Sequence, residues 1–145
     1  MMIVSKELNF CAGHRLVDYV GPCANLHGHN YIVEITVSGD VDPKTGFVMD
    51  FQGFKRVQNW IDLNLDHTLI LNAADELLTL TMVNSDGISV SLSEVCGRLF
   101  LMPCNPTAEN LATLIAKEAH RLLPVNVHSV TVWETLKCEA TWIAW

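Results

Sequence analysis

Three histidines and one cysteine near the start of the chain have the types and spacing of a metal-dependent active site. His27 and His29 flank Gly28, Cys23 precedes His27 by four residues, and His14 lies upstream. A catalytic zinc site takes three ligands from the protein and leaves a fourth position open for water or substrate. Cys23 would then be a base or nucleophile beside that open position. The alternative is a closed structural site, in which Cys23 completes the tetrahedron as the fourth ligand.

Strand periodicity predicts that the three imidazoles meet. From residue 31 the apolar positions alternate with polar ones, which is the period of a half-buried strand; they are Tyr31, Val33, Ile35 and Val37. The same register carried backward places His27 and His29 on the inward face. In the first segment, Leu8, Phe10, Ala12 and His14 share one register. If the two strands pair antiparallel, the three histidines converge at one end of a shared face and residues 15–26 form the connecting loop.

The elements that must support this site come from patterns further along the chain. Asp50 is a suitable N-cap for a helix that should end near Leu65. Residues 78–103 predict an extra hairpin, with SDGISVSLS as one strand and GRLFLMP as its partner. Asn105 and Pro106 predict the start of a second helix, with Asn105 as its cap, and Pro124 its end. The segments SVTVWET and CEATWIAW predict a closing pair of strands.

This order, ββ-α-(ββ)-α-ββ, predicts a single α+β domain over residues 1–145, with two helices packed on one face of an antiparallel sheet. The predicted inserted hairpin region spans residues 73–104.

Two further groups of residues could take part in catalysis or binding. Asp66 and His67 are adjacent at the predicted end of the first helix, where neighbours cannot usefully bond each other, so each should reach separate partners. Glu134 shares a register with Val130 and Val132, which places a carboxylate on the buried face of a strand. A buried carboxylate is costly unless it is paired or hydrogen-bonded. The alternative for Glu134 is a position at the solvent boundary of the strand end.

Composition excludes several classes of protein. The chain has 145 residues, which suits one domain with a sizeable core. No segment reaches the roughly 18 uncharged apolar residues of a membrane span. The formal net charge of −7 argues against a nucleic-acid surface. The five cysteines lack disulfide-like spacing and predict a reducing, cytoplasmic location.

Six motifs in order carry a resemblance to a known family. FCAGHRL, CANLHGHNY, GFVMDF, LDHTLILN, NPTAENLA and VWET resemble successive motifs of the 6-pyruvoyltetrahydropterin synthase superfamily. The poorest part of the match is residues 73–104. Within that superfamily, three residues between the cysteine and HGH are similar to the bacterial 6-carboxytetrahydropterin synthase branch of queuosine biosynthesis.

The resemblance implies a fold, a reaction and a set of roles. It implies the tunnelling fold (T-fold), a homohexamer built from two trimers, and active sites between subunits. It implies zinc on His14, His27 and His29, with Cys23 as the catalytic proton acceptor. Asp66 and His67 match the pair that works with that thiol. Glu134 matches the carboxylate that anchors the pterin, and Thr107 is a weaker pterin contact.

The implied activity is that of a zinc-dependent lyase. Its substrate is 7,8-dihydroneopterin triphosphate, and its product is 6-carboxy-5,6,7,8-tetrahydropterin, formed with loss of triphosphate and acetaldehyde. The main alternative is a 6-pyruvoyl product from the same substrate.

Three other readings stay open at this stage. The run from His27 through His29 to Glu34 resembles the first motif of a cupin-type metalloenzyme, but Glu34 falls on the face opposite the histidines. A generic zinc hydrolase would need an acidic base where this chain offers Cys23. A small zinc-stabilised binding module is the non-enzymatic alternative.

Overall fold

The computed structural model describes residues 1–145 and contains eight strands and three α-helices. The strands are β1 (Met2–His14), β2 (His27–Gly39), β3 (Thr68–Asn72), β4 (Thr81–Val83), β5 (Ser89–Ser91), β6 (Leu99–Met102), β7 (Asn126–Thr135) and β8 (Cys138–Ile143). The helices are α1 (Lys55–Asn64), α2 (Leu92–Cys96) and α3 (Ala108–Leu122). Short 3-10 turns cover Pro22–Ala24, Phe51–Phe54 and Glu76–Thr79. No helix is both long and apolar enough to cross a lipid bilayer.

Six strands form one sheet in the order β6-β3-β1-β2-β7-β8. β1 and β2 pair antiparallel along their whole length, with His14 opposite His27. β7 and β8 continue the antiparallel half of the sheet. β3 pairs parallel with β1, and β6 pairs parallel with β3. The α+β prediction is confirmed, but the sheet is mixed rather than antiparallel, because the chain returns to the β1 edge through crossover connections.

The inserted region has a different pairing from the predicted one. A small hairpin is present, but its strands are β4 and β5, which form a separate two-stranded sheet. The segment predicted to pair with residues 88–92 instead forms β6, beside β3. Alternation in residues 88–92 stops after β5, because Ser91 caps α2 with a capping box to Glu94. The prediction that GRLFLMP is the hairpin partner is therefore wrong.

Both long helices begin close to the predicted positions. Asp50 accepts a hydrogen bond from the backbone N–H of Gln52 and starts a 3-10 turn that leads into α1. The N-cap of α3 is Thr107, not the predicted Asn105. Asn105 instead ties the preceding loop to Val17, accepting from its N–H and donating to its carbonyl. Pro106 thus lies one residue before the cap rather than inside the helix.

The core lies between one face of the sheet and the helices α1 and α3. Its central residues come from alternating positions of β1 and β2 and from the apolar stripe of α3, and they include Phe10, Tyr31, Val33, Ile35, Leu111 and Ile115. Burial of side chains of this size contributes about 1.5–3 kcal/mol each. The same alternation carries His14 inward, so the candidate metal ligands stand at the end of the core.

Candidate functional site

The three histidines predicted as ligands converge in the structure. One ring nitrogen from each of His14, His27 and His29 lies within 4.8 Å of the corresponding atoms of the other two. The ring centroids are 4.5 Å apart for His14 and His27, and 5.1 Å apart for His27 and His29. The close approach of the strands depends on Gly28, where an added Cβ would lie 2.8 Å from the carbonyl oxygen of Ala12. Antiparallel pairing of β1 with β2 therefore assembles a three-imidazole cluster, as the alternation predicted.

Backbone carbonyls orient two of the imidazoles for metal binding. His14 Nδ1 donates to the carbonyl of Pro106 at 2.8 Å, and His27 Nδ1 donates to the carbonyl of Asn25 at 2.8 Å. A carbonyl can only accept, so both rings carry their proton on Nδ1 and keep a lone pair on Nε2. The Nε2 of His14 is buried and has no hydrogen-bond partner in the chain. Because an unpartnered buried nitrogen is costly, a metal ion fits this position and would be held by these three histidines.

Burial shapes the protonation of the groups around the cluster. Burial, opposed by the hydrogen bond to the Pro106 carbonyl and assisted by the neighbouring charges of His27 and His29, lowers the pKa of His14 to about 4. The ring is therefore neutral near pH 7, which is the form that binds metal. Burial, with a smaller contribution from the charge of Glu134, raises the pKa of Tyr31 well above its usual range. The phenol below the histidines thus stays protonated.

Cys23 opens into the same cavity as His14. It lies in the 3-10 turn Pro22–Ala24, and the N–H of Leu16 donates to its carbonyl at 2.9 Å, which folds the β1–β2 loop back on itself. A cavity of about 270 Å³ is lined by Cys23, His14, Thr107 and Glu134, among others. Cys23 is not a member of the three-residue ligand cluster. Cys23 therefore shares a cavity with His14 without belonging to the three-histidine cluster.

Glu134 projects from an irregular point of β7. The β7–β8 register shifts between Trp133 and Thr135, so Glu134 is the extra residue of a β-bulge. Bulges redirect side chains and are frequent next to active sites. Glu134 is partly buried and borders two cavities, the one that contains Cys23 and a larger one of about 640 Å³ that contains His29. Its carboxylate is neither fully buried nor fully exposed, between the two alternatives that the sequence left open.

Thr107 also borders the Cys23 cavity. Its hydroxyl oxygen accepts a hydrogen bond from the N–H of Asn110 at 3.4 Å and so caps α3. The capping role alone explains why a threonine suits this position. The Thr107 side chain also hydrogen-bonds Glu109, and this bond, after that of the Glu109 backbone N–H, lowers the pKa of the Glu109 carboxyl.

Asp66 and His67 bond each other, contrary to the prediction. His67 Nδ1 and Asp66 Oδ2 are 2.7 Å apart. The contact is possible because His67 has left the helix and adopts a left-handed backbone with φ of 54°. Cys11 holds the pair in place, since its N–H donates to Asp66 Oδ1 at 2.8 Å and its carbonyl accepts from the N–H of His67 at 2.7 Å. These bonds lower the pKa of Asp66 despite an opposing effect of desolvation, which is the largest single influence.

His67 lines a different cavity from Cys23. His67 is 75% exposed in its side chain and lines an open cavity of about 440 Å³ with Cys11, Asn30 and others. The cavity that contains Cys23 is lined by His14 and Glu134 instead. A single chain therefore places Cys23, His14 and Glu134 around one cavity, and His67 and His29 around another.

Arg15 is part of the scaffold of this end of the sheet. Its Nε donates to Asp75 Oδ2 at 2.9 Å, and the Asp75 side chain is fully buried. Asp75 also accepts from the N–H of Leu77 and so caps the 3-10 turn Glu76–Thr79. The ion pair connects β1 to the inserted region.

Three contributors to the site have little or no signal in the residue pattern. The carbonyls of Pro106 and Asn25 orient His14 and His27, but a backbone carbonyl leaves no mark on residue type. The Tyr31 hydroxyl lies 3.1 Å from His14 Nδ1. Its position two residues after His29, in the same register, was the available signal, but alternation alone marks it only as an apolar core position.

Comparison with known proteins defines the class. The family model of 6-pyruvoyl tetrahydropterin synthase matches residues 3–143. The chain belongs to this family, and it is homologous to the tetrahydropterin synthase lyases. The chain has the T-fold of this family, because its neighbours among solved structures are 6-pyruvoyl tetrahydropterin synthases.

Individual proteins of this family are similar to the chain over nearly its whole length. The chain is 34% identical over 143 residues to the 6-carboxy-5,6,7,8-tetrahydropterin synthase of Rickettsia conorii, covering 95% of this chain and 97% of that protein. It is 30% identical over 139 residues to the enzyme of the same name from Haemophilus influenzae, covering 93% and 94%. Among solved structures, 6-pyruvoyl tetrahydropterin synthase of Caenorhabditis elegans has a TM-score of 0.68 at 24% identity, covering 99% of this chain and 97% of that one. An uncharacterized protein of Wolinella succinogenes has a TM-score of 0.77 at 25% identity, covering 98% and 97%.

Proposed function

We propose that this chain is a zinc-dependent lyase that converts 7,8-dihydroneopterin triphosphate to 6-carboxy-5,6,7,8-tetrahydropterin, with loss of triphosphate and acetaldehyde, for queuosine biosynthesis in the cytoplasm. The observation that carries the proposal is the unpartnered, buried Nε2 of His14 at a three-histidine cluster, in the same cavity as the Cys23 thiol and the Glu134 carboxylate. Relatives 30–34% identical over most of both chains bear the name of this activity.

The residues of this cavity have complementary roles in the proposed reaction. Glu134 binds the pterin amino group and ring N–H through charge-assisted hydrogen bonds. Thr107, which lines the same cavity, makes a further contact with the pterin. Cys23 removes a proton from the substrate side chain, and it must be a thiolate to act as this base. When bound to the three histidines, zinc supplies Lewis acidity to the side-chain oxygens of the substrate.

A second copy of the chain completes the site in this proposal. Asp66 and His67 form a hydrogen-bonded dyad that can transfer a proton at the His67 imidazole, but within one chain His67 lines a different cavity from Cys23. We propose that the dyad of one subunit works with Cys23 of its neighbour, in a homohexamer built from two trimers.

The first experiment is product analysis. Purified zinc-replete protein is incubated with 7,8-dihydroneopterin triphosphate, and pterins and acetaldehyde are quantified. The proposal expects 6-carboxytetrahydropterin and one acetaldehyde per turnover; no consumption of the substrate would refute it. A 6-pyruvoyl product without acetaldehyde would establish the second candidate, which the names of the C. elegans and Plasmodium structural neighbours favour.

The second experiment separates the role of Cys23 from that of a ligand. Cys23→Ala should retain zinc but lose turnover, because the ligand cluster does not include this thiol. Cys104→Ala is the matched control, since Cys104 is a free, partly buried cysteine that packs against the core. Loss of zinc in Cys23→Ala would show a closed structural site, and removal of zinc from such a site should unfold the protein.

The third experiment tests the shared site. Cys23→Ala and His67→Ala are each expected to be inactive as homo-oligomers. Co-expressed, they should form mixed oligomers in which some sites combine an intact Cys23 from one subunit with an intact His67 from another. Recovered activity supports the two-subunit site, whereas inactive mixed oligomers, verified by mass spectrometry, would contradict it.

A further inference from the structure

The Tyr31 hydroxyl lies beneath the histidine cluster in a rigid setting. Tyr31 is fully buried, and its ring stacks on Phe10 with centroids 4.6 Å apart and planes 11° apart. Its ring also meets His14 and His29 edge-on, at 5.8 and 5.5 Å. These ring contacts require only an aromatic side chain. The hydroxyl group is therefore an addition that packing does not explain.

The proton count at His14 defines what that hydroxyl does. The Pro106 carbonyl, 2.8 Å from His14 Nδ1, can only accept, so Nδ1 carries the proton. Because the protonated Nδ1 has no lone pair with which to accept a hydrogen bond, it can only donate. The Tyr31 oxygen, which lies 3.1 Å from this nitrogen, is therefore a second acceptor for the same N–H. His14 Nδ1 is thus held between two oxygens.

Two acceptors on Nδ1 have consequences for Nε2. A half-turn of the His14 ring would replace the N–H at these two oxygens by a C–H group and would remove Nε2 from the ligand cluster. The Pro106 and Tyr31 oxygens therefore disfavour that orientation. Hydrogen-bond acceptors on the distal nitrogen also raise the basicity of a metal-binding imidazole. Both effects act through His14.

We infer that Tyr31 is a positioning residue, whose hydroxyl oxygen holds His14 in the metal-binding orientation. This inference rests on the metal site of the proposed function and names a contributor to it. The phenol belongs to β2, the strand that also carries His27 and His29, whereas the Pro106 carbonyl approaches from the loop before α3. The two oxygens therefore contact His14 Nδ1 from two separate elements of the fold.

The test is Tyr31→Phe, which removes the oxygen and keeps the stacking on Phe10. The matched control is Thr131→Val, which removes another buried hydroxyl, one that lies 2.9 Å from Thr141 Oγ1 on the neighbouring strands. Zinc affinity is measured by chelator competition, cobalt(II) replacement is followed by visible absorption, and kcat and KM are determined.

We expect Tyr31→Phe to weaken zinc binding about tenfold, to change the cobalt(II) spectrum, and to lower kcat more than it raises KM. Thr131→Val should retain the wild-type affinity and spectrum. If Tyr31→Phe keeps both the zinc affinity and the spectrum of the wild type, the inference is wrong, whatever happens to stability. Failure of the proposed function is distinct, because wild-type protein would then bind zinc without consuming the pterin substrate, or bind none.

If Tyr31→Phe does not fold, fluorotyrosine at position 31 replaces it. Fluorination keeps the phenol and weakens its oxygen as an acceptor, so zinc affinity should fall by a smaller factor. Unchanged affinity there would also overturn the inference.

Discussion

Acidification of the metal-free protein should reveal the energetic cost of burying His14. The pKa of this histidine is lowered from 6.5 to about 4 in the folded chain, mainly by burial. Because the unfolded chain binds a proton more readily between these two values, the free energy of unfolding should fall as the pH drops from 6.5 to 4. At about 1.4 kcal/mol per pKa unit, His14 alone should remove about 3 kcal/mol of stability by pH 4.

The assay is urea unfolding of zinc-stripped protein at several pH values between 7 and 4, followed by tryptophan fluorescence. His14→Asn is the matched variant, because its amide N–H can still donate to the Pro106 carbonyl but does not titrate. The carboxylates titrate equally in both proteins, so the difference between the two curves isolates His14. Parallel curves over this range would refute the reasoning.

Three further predictions concern the scaffold and the substrate pocket. Arg15→Ala should lower the free energy of unfolding by about 3 kcal/mol, as measured by urea unfolding, because it leaves the buried carboxylate of Asp75 unpaired. Gly28→Ala should lower stability by about 1–3 kcal/mol and weaken zinc binding, measured by thermal unfolding and chelator competition, because its Cβ would collide with the Ala12 carbonyl. Glu134→Gln should lower kcat/KM for the pterin substrate about 10–100-fold in steady-state assays, with zinc content unchanged, because a charge-assisted bond is lost.

Two of these predictions have a control variant. Arg15→Lys keeps a cation near Asp75 and should recover part of the lost stability. Gly13→Ala meets only the Leu69 side chain at 3.3 Å and the His27 carbonyl at 3.5 Å, so its effect should be smaller than that of Gly28→Ala. Equal effects of the two glycine variants would contradict the steric argument, and zinc loss in Glu134→Gln would contradict the assigned role.

The antiparallel hairpin and its histidines could be predicted because their signal is local. Alternation with a period of two determines which face each β1 and β2 side chain occupies. His14, His27 and His29 therefore converge once the strands pair. The helix starts at Asp50 and Thr107 were also close to prediction, since capping depends on short-range hydrogen bonds.

The other features of the fold and site could not be predicted, because they depend on long-range contacts and backbone irregularities that residue types do not indicate. β3 and β6 are short apolar runs whose parallel pairing is decided by distant crossovers. The Asp66–His67 contact depends on a left-handed backbone at a non-glycine residue, which has no sequence signature. The direction of Glu134 depends on a bulge in β7, and strict alternation cannot indicate one.

The distance along the chain between His14 and its carbonyl partner has a consequence for the order of folding. All three histidines lie on one hairpin, and local hairpins form in about 1–10 μs. The Pro106 carbonyl is 92 residues from His14, and such non-local contacts form later. During synthesis the three imidazoles therefore leave the ribosome long before the group that selects the His14 tautomer. We expect metal capture in two stages, weak on the nascent hairpin and tight once the loop before α3 has docked.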